Sequence, residues 1–568
     1  MKKSLCIGCL LILLCVRLAS GQGNSSIPVD SWIYNTIQQL QTRGYLLDLS
    51  PGFKPYRRLE VAEAVKKLNA ALQKSSASKM ERWLIQKLTD EFSYEINILD
   101  ANAANPDTSF TGLTFSEEAF LNFAKGDYKQ FKYAGNLEFR PTLRSEIGIN
   151  VGNHLLLYTD GTIDQTLRDD TIYTHTAEFG AFAPYQQAYG TSKFGLDVLH
   201  QQAYVQYSDD HLDLTFGRDY LSWGYGDDGT VLISPTAGAF DMVAAFVKTK
   251  IAKFNWFVAQ LNQMPEFTPD SNNLQDTGQP STWGQTPPFA NRYLTGSRIE
   301  FNISNRVFLG GYQAAEFGGV NSPIDLEDIN PVRVTYETET NDNKDLNAFL
   351  GFDVSVFYPK NFNMYGDLMI DDWQVNHDSL GDLKPNLYAV DIGLRASDIL
   401  QNFDIEGTDA NLQFTMVRNR VYNEYNWSSF EKLMLRNYPV ATAYGDDFWS
   451  LDLRLSHWLT YRWKLGIEIM HLEHGDQNIY GLYTMPWLTN PDITVQTGYS
   501  EPFPYGVIQE TNLFQANAMY QPSHDLYGEA MISYSHNRNY QYIAGVNKGI
   551  FSFLFTIYYN FSAAIPFQ

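Results

Sequence analysis

Two histidines three residues apart, His471-x-x-His474 with Glu473 between them, have the residue types of a metal site. They sit in a run whose apolar residues recur at every second position. On a strand, residues three apart point to opposite faces, so one ion does not readily meet both rings. Asp371-Asp372 could hold a cation or pair with an arginine; a solvated or lumen-facing pair is the plainer reading. No serine lies in a Gly-x-Ser-x-Gly elbow. The expectation is therefore a protein that is not an enzyme and that needs no metal or cofactor.

Recognition without turnover has better candidates. The loop aromatics Trp223, Tyr225, Trp283, Trp427 and Trp487 could stack on the apolar C–H faces of sugar rings, with Arg218 and Asp228 close by to bond hydroxyls. The same rings could instead pack loops together or lie in an interfacial girdle. Arg218 shares its parity with Leu212, Leu214 and Phe216, which would turn it outward with them. Either its strand has left the apolar layer at that point, or Gly217 marks a bulge that redirects it. A fixed loop base is the simpler role for Arg218.

The elements that must position these residues are strands. From about residue 111 the period is two. Leu451, Leu453 and Leu455 alternate with Asp452 and Arg454; Leu465, Ile467 and Ile469 alternate with Gly466 and Glu468. Ile299-Phe301-Ile303, Leu350-Phe352-Val354, Val390-Ile392-Leu394 and Leu412-Phe414-Met416 repeat the pattern. A soluble sandwich would turn the apolar rows inward, whereas a membrane barrel turns them toward lipid around a polar interior. Three features select the barrel. The runs are about ten residues long, as a tilted membrane strand requires. Aromatics (Trp449, Trp458, Tyr461, Trp463) sit at run ends. Short connections at Ser208-Asp209-Asp210, Ser304-Asn305, Tyr358-Pro359-Lys360 and Leu459-Thr460 alternate with long ones near 219–239, 263–292, 317–345 and 421–446.

Twenty candidate strands can be marked between 115 and 561, but the up-down parity fails to close between 475 and 546, which bounds the number at 16 to 20. Inward positions carry both charge signs, including Arg298, Glu300, Asp353, Asp391, Arg395 and Glu468, which suits a filled lumen or a selective pore equally. The aromatic C-terminal run Phe551 to Phe561 resembles the signal read by barrel-assembly machinery.

Ahead of the strands, residues 22–110 read as a small helical module with a linker at 101–108. Asp30 can cap a helix bearing Trp32, Ile33, Ile37 and Leu40, with Gly44 as its stop. Leu59-Ala62-Val65-Leu68-Leu72 and Met80-Trp83-Leu84-Lys87-Leu88 carry two more. Ser50-Pro51-Gly52-Phe53-Lys54-Pro55 must turn. Residues 1–21 have a charged start, an apolar core and a small-residue exit, as in a secretory signal, and hold Cys6, Cys9 and Cys15, the three cysteines of the chain. Of 568 residues, 64 are acidic and 41 basic, giving a net charge of −23. That balance disfavours nucleic acid, and it disfavours a polyanionic glycan unless cations bridge. Aromatics at 15% and charged residues at only 18% suit an envelope barrel.

Residues 211–246 are more specific than any barrel pattern. Their Gly217-Arg218, Trp223-Gly224-x-Gly226 and Phe240-Asp241-Met242-Val243 elements resemble the capsule assembly outer-membrane proteins, the Wzi-like family. Residues 28–65, Arg292-Tyr293 with Gly296-Ser297-Arg298, and Tyr365-Gly366-Asp367 before Asp371-Asp372 also fit, so the resemblance spans nearly the whole mature chain. It implies an antiparallel transmembrane β-barrel of 18 strands with a small N-terminal α-helical periplasmic module over residues 22–110, the barrel filling 111–568. It also implies a lectin-like role in retaining surface polysaccharide at the outer membrane. The expected partners are that polysaccharide, outer-membrane lipid and the assembly machinery, with peptidoglycan or another periplasmic partner open for the helices. The rival reading is a porin-like channel for sugars or small solutes.

Overall fold

The computed structural model describes residues 23–29, 31–72, 77–104, 111–126, 138–152, 154–164, 197–199, 202–227, 230–234, 238–265, 289–335, 346–425, 430–436, 438–479, 481, 483–523 and 525–566. The secretory-signal expectation for residues 1–21 lies outside them, as do Asp228, Trp283 and Trp427.

Every barrel strand pairs antiparallel with its sequence neighbours. In chain order they are β1 (Gly112–Gly126), β2 (Glu138–Val151), β3 (Leu155–Asp164), β4 (Asp197–Leu199 and Ala203–Ser208, both paired to β3), β5 (Leu212–Asp219) and β6 (Phe240–Lys248). Next come β7 (Ala252–Pro265), β8 (Phe289–Asn302), β9 (Val307–Gly319), β10 (Leu346–Val356), β11 (Phe362–Asp372) and β12 (Leu387–Ala396). The last are β13 (Thr408–Val417), β14 (Phe448–Trp458), β15 (Trp463–His474), β16 (Gln509–Tyr520), β17 (Leu526–Arg538) and β18 (Lys548–Pro566). β18 closes on β1, from Gly112↔Pro566 to Gly126↔Ser552. The ring of 18 strands is the expected fold, and the parity problem is resolved. Residues 475–508 are one long connection carrying only a short helix, Pro486–Thr489, so the strands that seemed present there do not exist among the described residues.

The period-two pattern maps onto the wall. In β10, Leu350, Phe352 and Val354 are exposed on the outside while Gly351, Asp353 and Ser355 are buried inside. In β12, Ile392 and Leu394 face out while Asp391, Gly393 and Arg395 face in. An outward apolar face on a closed ring leaves no edge strand and gives hydrocarbon nothing polar to solvate, so the barrel belongs in the outer membrane. Tyr461, Trp463 and Tyr520 are exposed at the short-turn end, with Trp463 and Tyr520 rings 4.8 Å apart. Trp458 departs from that girdle. It turns inward and is buried, with its ring 4.5 Å from Trp83 of the N-terminal module.

Among the described residues that module has four helices: α1 (Trp32–Thr42), α2 (Arg58–Leu72), α3 (Lys79–Glu91) and α4 (Ser93–Ala104). The first three follow the predicted stripes. Ser31, not Asp30, is the N-cap of α1, accepting from the Ile33 amide at 3.3 Å. α3 starts on a capping box, with Glu81 N–H donating to Ser78 Oγ at 3.1 Å and Ser78 N–H to Glu81 Oε2 at 2.7 Å. α4 takes in residues 101–104 of the segment read as a linker. Its apolar residues form no single stripe, so periodicity gave no sign of it. Ile33, Ile37, Leu40, Val61, Val65, Leu84, Leu88 and Phe92 make the module's core, and Trp458 of β14 joins them.

Candidate functional site

The interior of the barrel is occupied from both ends. At the short-turn end, Arg43, just past α1, donates to Asp398 at 2.8 Å and to Asp409 at 2.9 Å, on the connection from β12 into β13. Burial disfavours this guanidinium's charge, but Asp409 and Asp398 more than offset that and raise its pKa. Lys87 of α3 sits among three indoles, 3.9 Å from the Trp32 ring centroid and 5.7 Å from that of Trp458. The aliphatic stem and ammonium thereby join head to wall by cation–π contact.

From the head, residues 50–57 climb along the lumen wall. Gly52 passes so close to the Arg298–Glu300 pair that a Cβ there would collide with both side chains. Ser50 donates its hydroxyl to Glu300, Arg57 pairs with Asp219 at 3.2 Å, and Phe53 enters the apolar centre of the barrel.

The long connections descend to meet it. Residues 220–227 and 230–234 fold inward, turning at Gly224 with φ +106, a left-handed conformation that favours glycine. Phe53-Lys54 and Ser222-Trp223 then pair as a two-residue antiparallel bridge inside the ring. Trp223 is 1% exposed, donates Nε1–H to Asn255 Oδ1 at 2.8 Å and meets Phe257 edge-on. The described residues of the 418–447 connection pack on top. Ser234 N–H donates to Val440 O at 2.9 Å, Tyr422 donates its hydroxyl to Val231 O, and Arg292 pairs with Glu316 while capping the carbonyl of Met434 at 3.0 Å. Val231, Leu232, Ile233, Val421, Leu433 and Val440 complete an apolar plug.

One carboxylate ties these parts together. Asp227, on the descending connection, accepts from Arg395 of β12 at 2.7 Å, from Asn411 of β13 and from Gln38 of α1 at 2.6 Å. Burial pushes its pKa up, but Arg395 outweighs that and holds it below the usual carboxylate range. Nearby, Tyr225 donates its hydroxyl to Glu300 at 3.1 Å, and burial pushes that hydroxyl's pKa well up. Arg298 forms a two-pronged pair with Asp353, one prong at 3.0 Å.

The expected glycan contacts divide accordingly. Trp223 and Tyr225 are buried in the lumen. Trp487 is 1% exposed, beneath Tyr483 and Met485, with the Arg420 guanidinium 5.1 Å above its ring and paired to Glu501 at 2.8 Å. None of the three offers a free ring face. The reason is that loops rich in large apolar side chains bury them by folding inward. Arg218 stays on the outward row, register opposite Asp241, and pairs with it at 2.6 and 2.8 Å. Its strand runs in unbroken register there, so no bulge redirects it. Asp371 accepts from the Tyr422 amide at 2.8 Å and Asp372 pairs with Lys384 at 2.7 Å, a lysine rather than an arginine. His471 bonds Asn512 and His474 bonds Tyr542, each at 2.8 or 2.9 Å, on opposite faces of β15. Sequence reading missed Asp227, Gln38 and Arg43; the only signal was the Gly-rich stretch that precedes Asp227.

Two open features stand out. An interior chamber of about 550 Å³ lies between α1, Asp227 and the walls β12 to β16. On the long-connection side, Gln477, Thr484, Thr489, Asn490 and Tyr505 line a shallow depression of about 410 Å³.

A closed 18-stranded barrel, apolar outside, with its helical head and the described parts of two long connections folded into its interior, defines an outer-membrane protein. Its sequence places it more narrowly: the pattern of the capsule assembly protein Wzi family matches residues 128–549, and the chain belongs to that family. Among solved structures it is similar to the Escherichia coli Wzi outer-membrane protein, described there as a carbohydrate-binding β-barrel involved in group 1 capsule assembly. The TM-score is 0.55 at 13% identity, over 96% of this chain and 100% of that one. Pseudomonas aeruginosa OccD3 scores 0.43 at 8% identity over 80% of this chain and 93% of that one, and OprD of the same organism scores 0.40 at 10% identity over 80% and 95%. No curated protein matches by sequence.

Proposed function

We propose that the protein is a non-enzymatic anchor that binds capsular or exopolysaccharide at the cell surface and assists capsule assembly. The observation that carries this is the plug joining Phe53 of the head to Trp223 of the descending connection. A lumen closed by its own chain suits a binding surface better than a solute path. Family membership supports the same reading. The amides and hydroxyls around the Gln477–Tyr505 depression supply the donors and acceptors that sugar hydroxyls need. Trp283 and Trp427 are proposed to add stacking faces, with Arg218 and Asp228 at the base of the neighbouring connection. The helical head is proposed to face the periplasm, where peptidoglycan is a candidate partner, and the aromatic C-terminal strand to be read by the barrel-assembly machinery.

Deleting the protein should release polymer into the medium without halting its synthesis. Cell-bound polymer at the undeleted level would refute the anchor. Glycan binding measured with and without Ca²⁺ separates direct contact from cation bridging.

A further inference from the structure

The connection that leaves β9 turns back over the outside of the wall. Among its described residues, 320–335, Ile329 packs on Tyr293, Ala315, Phe317, Leu346 and Ala348, all on the outward rows of β8, β9 and β10. Those five are buried, whereas Phe301, Leu309 and Phe352, further down the same rows, are exposed. Asn291 Nδ2–H donates to Ser322 O at 3.2 Å and fixes the start of this strap at the rim. Lower down, Gln313 stands on the outward row of β9, where bare hydrocarbon would leave its amide without partners. The strap supplies them. Gln313 Nε2–H donates to Arg333 O at 2.6 Å, and Thr335 N–H donates to Gln313 Oε1 at 3.1 Å. The same amide nitrogen donates to Ser297 Oγ at 3.1 Å.

Strand register gives the depth of this contact. Barrel strands tilt, so a row of paired residues climbs steadily from one rim to the other. One such row starts at Tyr207 of β4, exposed beside the short 208–211 turn. It passes Ser297, Gln313 and Leu350 and ends at Tyr388 of β12, whose ring lies 6.2 Å from that of exposed Trp373 at the opposite rim. Gln313 in β9 is five strands from β4 and three from β12, which puts it in the outer-leaflet half of the apolar band. At that depth Val332 and Val334 turn away from the wall, 81% and 54% exposed, while Arg333 and Thr335 are half-buried between them. Valines gain nothing from facing water but are well placed among acyl chains. Val332 N–H donates to Asn330 Oδ1 at 3.1 Å, Arg333 N–H to Asn330 O at 3.3 Å, and the Arg333 guanidinium pairs with Glu327, so these polar groups reach the apolar layer already partnered. We infer that the 320–335 strap is immersed in the outer leaflet, with Val332 and Val334 against lipid acyl chains and Gln313 clamping its backbone to the wall. The occupant follows from continuity with the lipid-facing belt: Leu350, register opposite Gln313, is itself exposed outward. The inference does not depend on what the outer face binds, and it withdraws this connection from that face.

The test is spin labelling of the full chain, in a background free of Cys6, Cys9 and Cys15, reconstituted in vesicles of phosphatidylethanolamine and phosphatidylglycerol. Labels are placed at Val332→Cys and Val334→Cys. Val354→Cys on the bare wall and Asn490→Cys at the outer depression serve as references. Oxygen, which concentrates among acyl chains, should relax the two strap labels several-fold more than a water-soluble nickel chelate does, as at Val354→Cys. Asn490→Cys should show the reverse preference. Gln313→Leu removes the clamp and should shift the Val332→Cys label several-fold toward the chelate, with heat-modified gel migration confirming that the barrel is folded. Strap labels as open to the chelate as Asn490→Cys would overturn the inference. Labels shielded from both relaxants would overturn it too, by placing a second protein on this face. An unshifted Val332→Cys label in the folded Gln313→Leu variant would overturn the clamp.

Discussion

At the scale of single residues, side chains chosen by type for ligand contact turn out to hold the molecule together. Trp223 fills the meeting point of head and connection, so Trp223→Ala should leave a cavity and destabilise the barrel by about 3–5 kcal/mol. Thermal unfolding of purified protein measures this, while glycan binding at the outer face of the folded variant should be unchanged. Asp446 and Asp447 make a second residue-level case. Asp446 accepts from the amides of Arg420 at 2.9 Å and Ile479, and Asp447 accepts from the Tyr505 amide at 3.0 Å. Burial pushes Asp446 to about 7 and Asp447 to about 9, the neighbouring Asp446 adding to the latter. Between an unfolded value near 4 and these folded values the folded state binds more protons, so the corner is most stable at low pH and loosens as pH rises. Protease cleavage within 418–447 or 475–508 should therefore quicken from pH 5 to pH 9. Asp446→Asn with Asp447→Asn should flatten that profile; an unaltered profile would refute the assignment.

At the scale of elements, the bridge between Phe53-Lys54 and Ser222-Trp223 is open to a direct check. Lys54→Cys with Ser222→Cys sets two thiols on opposed positions of an antiparallel pair. Oxidation should cross-link them and shift gel migration, and either cysteine alone should not. These elements also show what the sequence disclosed. Strand identity was legible because an outward apolar row beside lipid and an inward polar row impose a period of two, as in β10 and β12. The head's first three helices were legible because each buries one stripe. α4 was not, because it lacks a stripe. The inward course of residues 220–227 was not legible either. Gly224 turns the chain there, but the direction is set by Asp227, Arg395, Asn411 and Gln38, which lie far apart in sequence. By type Trp223 and Tyr225 suit stacking on sugars, and in the fold both rings are buried inside the barrel.

At the scale of the whole molecule, different elements enter the two ends of the barrel. Helices held through Arg43 and Lys87 occupy one end, and connections packed around Tyr422 and Arg292 occupy the other. Intact protein in planar bilayers should accordingly show no steady conductance. A variant lacking residues 24–104 loses Phe53, Arg57 and the lower half of the plug, and it should pass intermittent current. Steady open channels from the intact protein would refute the occluded lumen.

The Phe53–Trp223 contact also constrains biogenesis. The head reaches it through the short-turn mouth and the stretch around Trp223 through the opposite mouth, while the wall closes along Gly112↔Pro566 to Gly126↔Ser552. The seal is therefore delivered half from each side of the bilayer.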